Sequence, residues 1–254
     1  MATERLIGAP GGLVSALHLF IAGCVLVVYN APRIARKAYA DELLAANWVY
    51  SRRFWYFIFF GAGVVIAGGA AFYLSAGEVV WCLLLGVVTF SYSLPLLPFG
   101  KRRRIRDYGW LKIAVLSFVW TVVTAVLPIV HWGKLPAAYP VEIAVRLVFI
   151  FVLCMLFDMR DVLEDQRNNI HTLPAVVGEQ QSYRLVYSAI GVFVVLSVVQ
   201  YSRFMLFPRL AGALITAIVA GVVVKYLKKH PTHGAYNVLA DGLMLVYAVP
   251  VVLL

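Results

Sequence analysis

Phe54-Trp55-Tyr56-Phe57-Ile58-Phe59-Phe60-Gly61-Ala62-Gly63-Val64-Val65-Ile66-Ala67-Gly68-Gly69-Ala70-Ala71-Phe72-Tyr73-Leu74 runs for twenty-one residues without a charged side chain. At about 1.5 Å per residue a helix of that length crosses the roughly 30 Å hydrocarbon core of a bilayer. Lipid offers backbone groups no hydrogen bonds, so the run must satisfy them within itself, as a helix. It is too long and too evenly apolar for a barrel strand, whose faces alternate. The rest of the chain is built alike: 63% of its 254 residues are hydrophobic and 13% charged. The blocks predict eight spans: Leu13 to Tyr29, Phe54 to Leu74, Val79 to Leu97, Trp110 to Val130, Val141 to Phe157, Arg184 to Tyr201, Leu210 to Leu227, and Tyr236 to Leu254. The expected fold is an all-α, polytopic helical membrane protein, with residues 1–254 as a single transmembrane domain.

The formal net charge of +10 would suggest nucleic acid in a soluble protein. Here Lys and Arg lie between apolar blocks, where lipid headgroups and topology account for them, and no nucleic-acid partner is expected. Arg33, Arg36, Lys37, Arg52 and Arg53 follow the first span, Lys101 to Arg106 the third, Arg160 and Arg167 the fifth, and Lys228 and Lys229 the seventh. The loops between hold little more than Lys134, Arg203 and Arg209. By the positive-inside rule the odd-numbered loops are cytoplasmic and both termini face the other side. Leu13 to Tyr29 follows few positive charges and precedes no small-residue cleavage site, so it reads as a retained span. Cys24, Cys82 and Cys154 lie inside apolar blocks without a CxxC pair, which points to small packing residues. The cytoplasmic loops after the first and fifth spans are the longest, about two dozen residues each, and long loops are where chemistry is sought first.

The fifth span ends in Phe157-Asp158-Met159-Arg160-Asp161-Val162-Leu163-Glu164-Asp165. If the helix continues, Asp158, Asp161 and Asp165 share one face. Three like charges repel unless a cation lies among them, and carboxylate oxygens completed by phosphates and waters are what Mg²⁺ prefers. The competing reading is a solvated helix end neutralised by Arg160 and Arg167.

Downstream come Asn168-Asn169-Ile170-His171-Thr172-Leu173-Pro174 and Val177-Gly178. Asp158-x-x-Asp161-x-x-x-Asp165, with Thr172-Leu173-Pro174 and Gly178, resembles the second aspartate-rich motif of the UbiA superfamily of intramembrane prenyltransferases. Tyr92-Ser93-Leu94-Pro95 before Lys101 and Arg102 matches that family's tyrosine-proline stretch and Lys-Arg pair. The order of spans extends the likeness over most of the chain. Two features depart from it. Family members typically carry nine spans, and one span here precedes the loop that should follow two. In that loop Asn30 stands, but Ala31, Ile34 and Ala38 occupy the places of the first motif's three aspartates. Arg33, Arg36 and Lys37 stand nearby instead, and a guanidinium can grip phosphate bidentately. His171 takes the place of a frequent lysine and can still carry positive charge; the plain alternative is a loop histidine without a role.

The resemblance implies about eight transmembrane helices around a central cavity, with Mg²⁺ on Asp158, Asp161 and Asp165. It further implies an isoprenoid diphosphate against Arg33, Arg36, Lys37, Lys101, Arg102, Arg160 and His171, and a lipid-soluble acceptor alkylated after ionisation of the allylic C–O bond. Asn30 and Tyr92 are further family-matched positions. A divergent prenyltransferase is thus one expectation. A non-catalytic relative that binds a lipid or isoprenoid phosphate, or scaffolds a membrane complex, is the alternative. A transporter would call for inverted repeats or broken spans in matching positions, and Pro128 and Pro250, near span ends, do not make such a pattern. Elsewhere, Glu142 and Arg146 are placed to pair at i,i+4, and Lys112 to snorkel to the interface. Asp241, little more than a turn inside the last span, is a candidate functional charge within the membrane, with a place at headgroup level as the alternative. The glycines of Gly61 to Gly69 are spaced for close helix packing.

Overall fold

Each apolar block falls on a helix in the computed structural model, which describes residues 3–4, 8, 14–35, 53–93, 109–167, 170–203 and 206–253. The principal helices are α1 (Ala16–Ala35), α2 (Arg53–Ala71), α3 (Ala76–Ser93), α4 (Gly109–His131), α5 (Pro140–Arg167), α6 (Leu173–Val177), α7 (Glu179–Arg203), α8 (Phe207–Lys229) and α9 (His233–Leu253). The only extended segment among the described residues is His171–Thr172, which bridges in parallel to Gly109. Five stretches are long and apolar enough to cross a membrane: Phe54–Ala71, Gly109–His131, Pro140–Leu163, Glu179–Ser202 and Phe207–Lys229, while Ala16–Ala31 and Ala76–Thr89 are apolar but shorter. By length and apolarity of the described residues, then, five of the eight expected spans qualify.

The chain divides into two compact units, Gly11–Val79 and Met1–Pro10 with Val80–Leu254. In the smaller, α1 and α2 cross at glycines. A Cβ on Gly63 would stand 2.8 Å from the Gly23 carbonyl oxygen, and one on Gly23 2.6 Å from the Ala67 nitrogen. The expectation of close packing thus holds at Gly63, whereas Gly61, Gly68 and Gly69 face open space. A reciprocal cap starts α3: the Ser75 N–H donates to Glu78 Oε2 at 2.6 Å and the Glu78 N–H to Ser75 Oγ at 3.4 Å.

In the larger unit, α8 explains the packing. Gly212, Ala213, Thr216, Ala217, Ala220, Val223, Val224 and Leu227 are buried, whereas Ile215, Ile218 and Val222 are exposed. Small residues inward and large apolar residues outward suit a helix whose outer face meets lipid, since close backbone approach rather than exclusion of water drives association there. In water that outer face would be an aggregation site. The core is sealed by Phe149, Phe193 and Tyr247, with ring centroids 4.7 to 5.7 Å apart. A small void of about 10 Å³, room for a single water, lies beside Phe149, Phe193 and Thr216.

Two prolines interrupt this bundle, and a threonine hydroxyl lies at each freed carbonyl. A proline has no N–H for the carbonyl four residues back. Before Pro128 the helix widens to a π turn over Val122–Val126, and Thr3 Oγ1 donates to the Thr124 carbonyl at 2.5 Å. Before Pro250, where Gly212 lets the proline ring approach, the freed Val246 carbonyl lies 3.4 Å from Thr216 Oγ1 of α8 and takes only a share of a proton that Thr216 donates chiefly to the Gly212 carbonyl at 2.8 Å. Hydroxyls that re-satisfy freed carbonyls are how proline is tolerated at membrane depth.

Candidate functional site

Helix α5 does not stop at Phe157 but runs on to Arg167, and the Ile170 N–H then donates to the Asp165 carbonyl at 2.8 Å. Along it, Asp158 and Asp165 are two turns apart and nearly aligned, while Asp161 lies about 60° round the axis. The three carboxylates accordingly take different partners. Lys112 Nζ, one turn into α4, lies 2.9 Å from Asp158 Oδ1 and 3.3 Å from Asp165 Oδ2. Asp161 is gripped by the neighbouring guanidinium, with Arg160 Nε 2.6 Å from Oδ1 and Nη2 2.6 Å from Oδ2. The other arm of Arg160 donates from Nη1 to Asn237 Oδ1 at the start of α9, and the guanidinium lies 5.2 Å from the Phe157 ring centroid. Lys112 is thus a cation among the carboxylates.

The position of Lys112 is fixed from below. A Cβ on Gly109 would meet the His171 carbonyl oxygen at 1.5 Å, so only glycine lets the start of α4 abut His171–Thr172. Thr172 is fully buried and the His171 side chain exposed. Leu173–Val177 then ends at Gly178, whose φ of 82° favours glycine and whose carbonyl accepts from Ser182 N–H and Oγ. The motif residues Thr172, Pro174 and Gly178 thus build the turn that closes the charged end.

In donor chemistry the cluster suits a divalent cation only in part. Asp158 is 3% exposed, and its Oδ2 is buried without a hydrogen-bond partner. With Asp165 it makes two carboxylates, the number Mg²⁺ takes when phosphate oxygens and waters fill its remaining positions. Asp161 is committed to Arg160. Among the described residues no three His, Cys, Asp or Glu side chains gather closely enough to hold a metal by themselves.

Near the other end of α5, about 24 Å away along the axis, lies a second buried polar group. Glu142 and Arg146 pair as expected, Nη2 to Oε1 at 3.6 Å. Arg146 Nη2 also donates to Thr3 Oγ1 at 3.1 Å, its guanidinium lies 4.7 Å from the Tyr247 ring centroid, and the Tyr201 hydroxyl donates to Glu142 Oε2 at 3.5 Å. Trp132 Nε1 donates to Glu4 Oε1 at 3.2 Å beside it. These partners, like Asn237 and the Lys112 bridge, lay too far off in sequence to be read there. An intramembrane charge was the one available signal, and it was present at Lys112.

The other expected positions are scattered. Asn30 is buried in α1, where its Nδ2 donates back to the Leu26 carbonyl at 2.7 Å. Arg33 lies in the last turns of α1 and Tyr92 in α3, but their side chains, and Arg36, Lys37, Lys101, Arg102, Asn168 and Asn169, lie outside the described residues. Asp241 is exposed on α9. Cys24, Cys82 and Cys154 are half-buried and form no disulfide. No family model matches the chain, and no curated protein or solved structure matches it. The likeness to the intramembrane prenyltransferases therefore rests on the motif residues themselves.

Proposed function

We propose that the chain is an integral membrane protein that holds an isoprenoid diphosphate at the charged end of α5 and acts on it as a divergent, UbiA-like prenyltransferase. The observation that supports this reading is the gathering of two buried carboxylates, an ammonium and a guanidinium at one end of an apolar span. Such charges are costly beside lipid, and they mark sites more often than scaffolding. In this reading the end of α5 faces the cytoplasm and the prenyl tail lies along the apolar part of the span. His171, exposed at the same end beside Gly109, is a further residue for the diphosphate. Mg²⁺, held by Asp158 and Asp165 with diphosphate oxygens, would neutralise charge on the leaving group. Lys112 and Arg160 serve the same leaving group directly. The allylic C–O bond breaks with its electron pair going to diphosphate, and a lipid-soluble acceptor bonds the prenyl carbon and loses a proton.

A second reading, a non-catalytic binder of a lipid or isoprenoid phosphate, is favoured by one observation: the Lys112 ammonium already lies between the two carboxylates where a metal would sit. A headgroup can bind the charged end while its tail stays in the bilayer. Purified protein in nanodiscs, given allylic prenyl diphosphates and membrane-lipid extract as acceptor, should release diphosphate, and Asp158→Asn should lose that release. Binding without release supports the second reading; neither binding nor release removes both.

A further inference from the structure

We propose that Lys112 holds the place of a divalent cation between Asp158 and Asp165, so that metal binds there well only when a diphosphate draws Lys112 away. The ligand in this statement rests on the reading above; the competition between lysine and metal does not.

The ammonium lies 2.9 Å from Asp158 and 3.3 Å from Asp165, within reach of one carboxylate oxygen from each of two successive sites on the helix. Arg160 already satisfies Asp161, which among the described residues confines the contest to two carboxylates. The second Asp158 oxygen, buried and without a hydrogen-bond partner, shows the anion to be only partly satisfied by its lysine. A metal arriving alone must separate the Lys112 ammonium from both carboxylates at the end of an apolar span, which costs the energy of two close ion pairs. Two protein carboxylates also leave most of the metal's coordination positions to water. A diphosphate changes both terms, since its oxygens complete the metal's shell and give Lys112 a new anionic partner. Metal and diphosphate therefore bind more tightly together than apart, each raising the affinity for the other by the same factor.

The test uses the full chain in phosphatidylcholine nanodiscs, with Mn²⁺ as the probe metal. Equilibrium dialysis against protein-free discs gives the metal bound at equal free Mn²⁺, because any complex formed in solution is equal on both sides. With metal alone, Lys112→Met should bind Mn²⁺ about tenfold more tightly than the wild type, and Lys112→Arg should bind it no better. Lys112→Met with Asp158→Asn should lose the gain. Inorganic pyrophosphate should raise Mn²⁺ retention by the wild type about tenfold, within the usual range of coupling between sites, and raise that of Lys112→Met less. Equal Mn²⁺ binding by wild type and Lys112→Met, or a gain that survives Asp158→Asn, overturns the proposal. Should Lys112→Met prove too unstable, Lys112→Gln carries the same comparison. Thermal midpoints give a metal-free check: the double variant should melt above Lys112→Met, since it leaves Asp158 no uncompensated charge, and the reverse order also overturns the proposal. The arms with metal alone contain no phosphate, so a failed diphosphate reading and a failed lysine competition show up in different samples.

Discussion

The charged end of α5 turns on two residues from α4, one by its side chain and one by lacking it. Lys112 joins two aspartates that are 46 and 53 positions away, a pairing that helical spacing cannot announce. The sequence shows three carboxylates that need a cation, and a lysine just inside a span; only the docking of α4 against α5 joins the two facts. Gly109 makes that docking possible. Gly109→Ala would place a methyl on the His171 carbonyl, and overpacking against backbone should lower stability by about 3 kcal/mol, read from chemical denaturation in nanodiscs. A variant as stable as the wild type would show that the His171–Thr172 segment can move aside. Arg160 supplies the next prediction. Asp161→Asn removes its bidentate partner but leaves Lys112, Asp158 and Asp165 in place, so it should weaken prenyl diphosphate binding less than Asp158→Asn does. Titration of both variants checks the order, and the reverse order would make Asp161 the main ligand.

Helix existence was legible in the sequence, and helix ends were not. Apolarity marks the stretch that meets lipid, whereas a helix ends where its hydrogen bonding is capped. Hence α5 continues from Phe157 to Arg167 through charged residues, and α7 begins at Glu179, ahead of the apolar run at Arg184. The prolines were visible too, but their consequence was not. Pro128 frees a carbonyl whose donor, Thr3, is 2% exposed and comes from a distant part of the chain. Thr3→Val should therefore cost about 1–3 kcal/mol through the unsatisfied carbonyl and the lost Arg146 contact. In a Pro128→Ala background, where an N–H is restored to the helix, the same substitution should cost about 1 kcal/mol less. A strictly additive double-mutant cycle would separate Thr3 from the proline break.

At the scale of the whole molecule, the outward apolar faces and the five span-length helices agree with the all-α membrane fold expected from composition. Sidedness still rests on loop charge. With Cys24, Cys82 and Cys154 replaced by Ser or Ala, a single cysteine in the loop from Lys101 to Arg106 should react with an impermeant thiol reagent only after the membrane is opened. One at Lys134 should react in intact cells, and the opposite labelling would reverse the orientation. The central claim is that the acidic end of α5, closed by Lys112, is a headgroup site for an isoprenoid diphosphate. It is tested most directly by titrating a fluorescent prenyl diphosphate into the protein in nanodiscs with and without Mg²⁺, for the wild type and Asp158→Asn. The account predicts saturable binding by the wild type that Mg²⁺ strengthens and Asp158→Asn weakens at least tenfold, about 1.4 kcal/mol. Equal binding by wild type, Asp158→Asn and protein-free discs would contradict it.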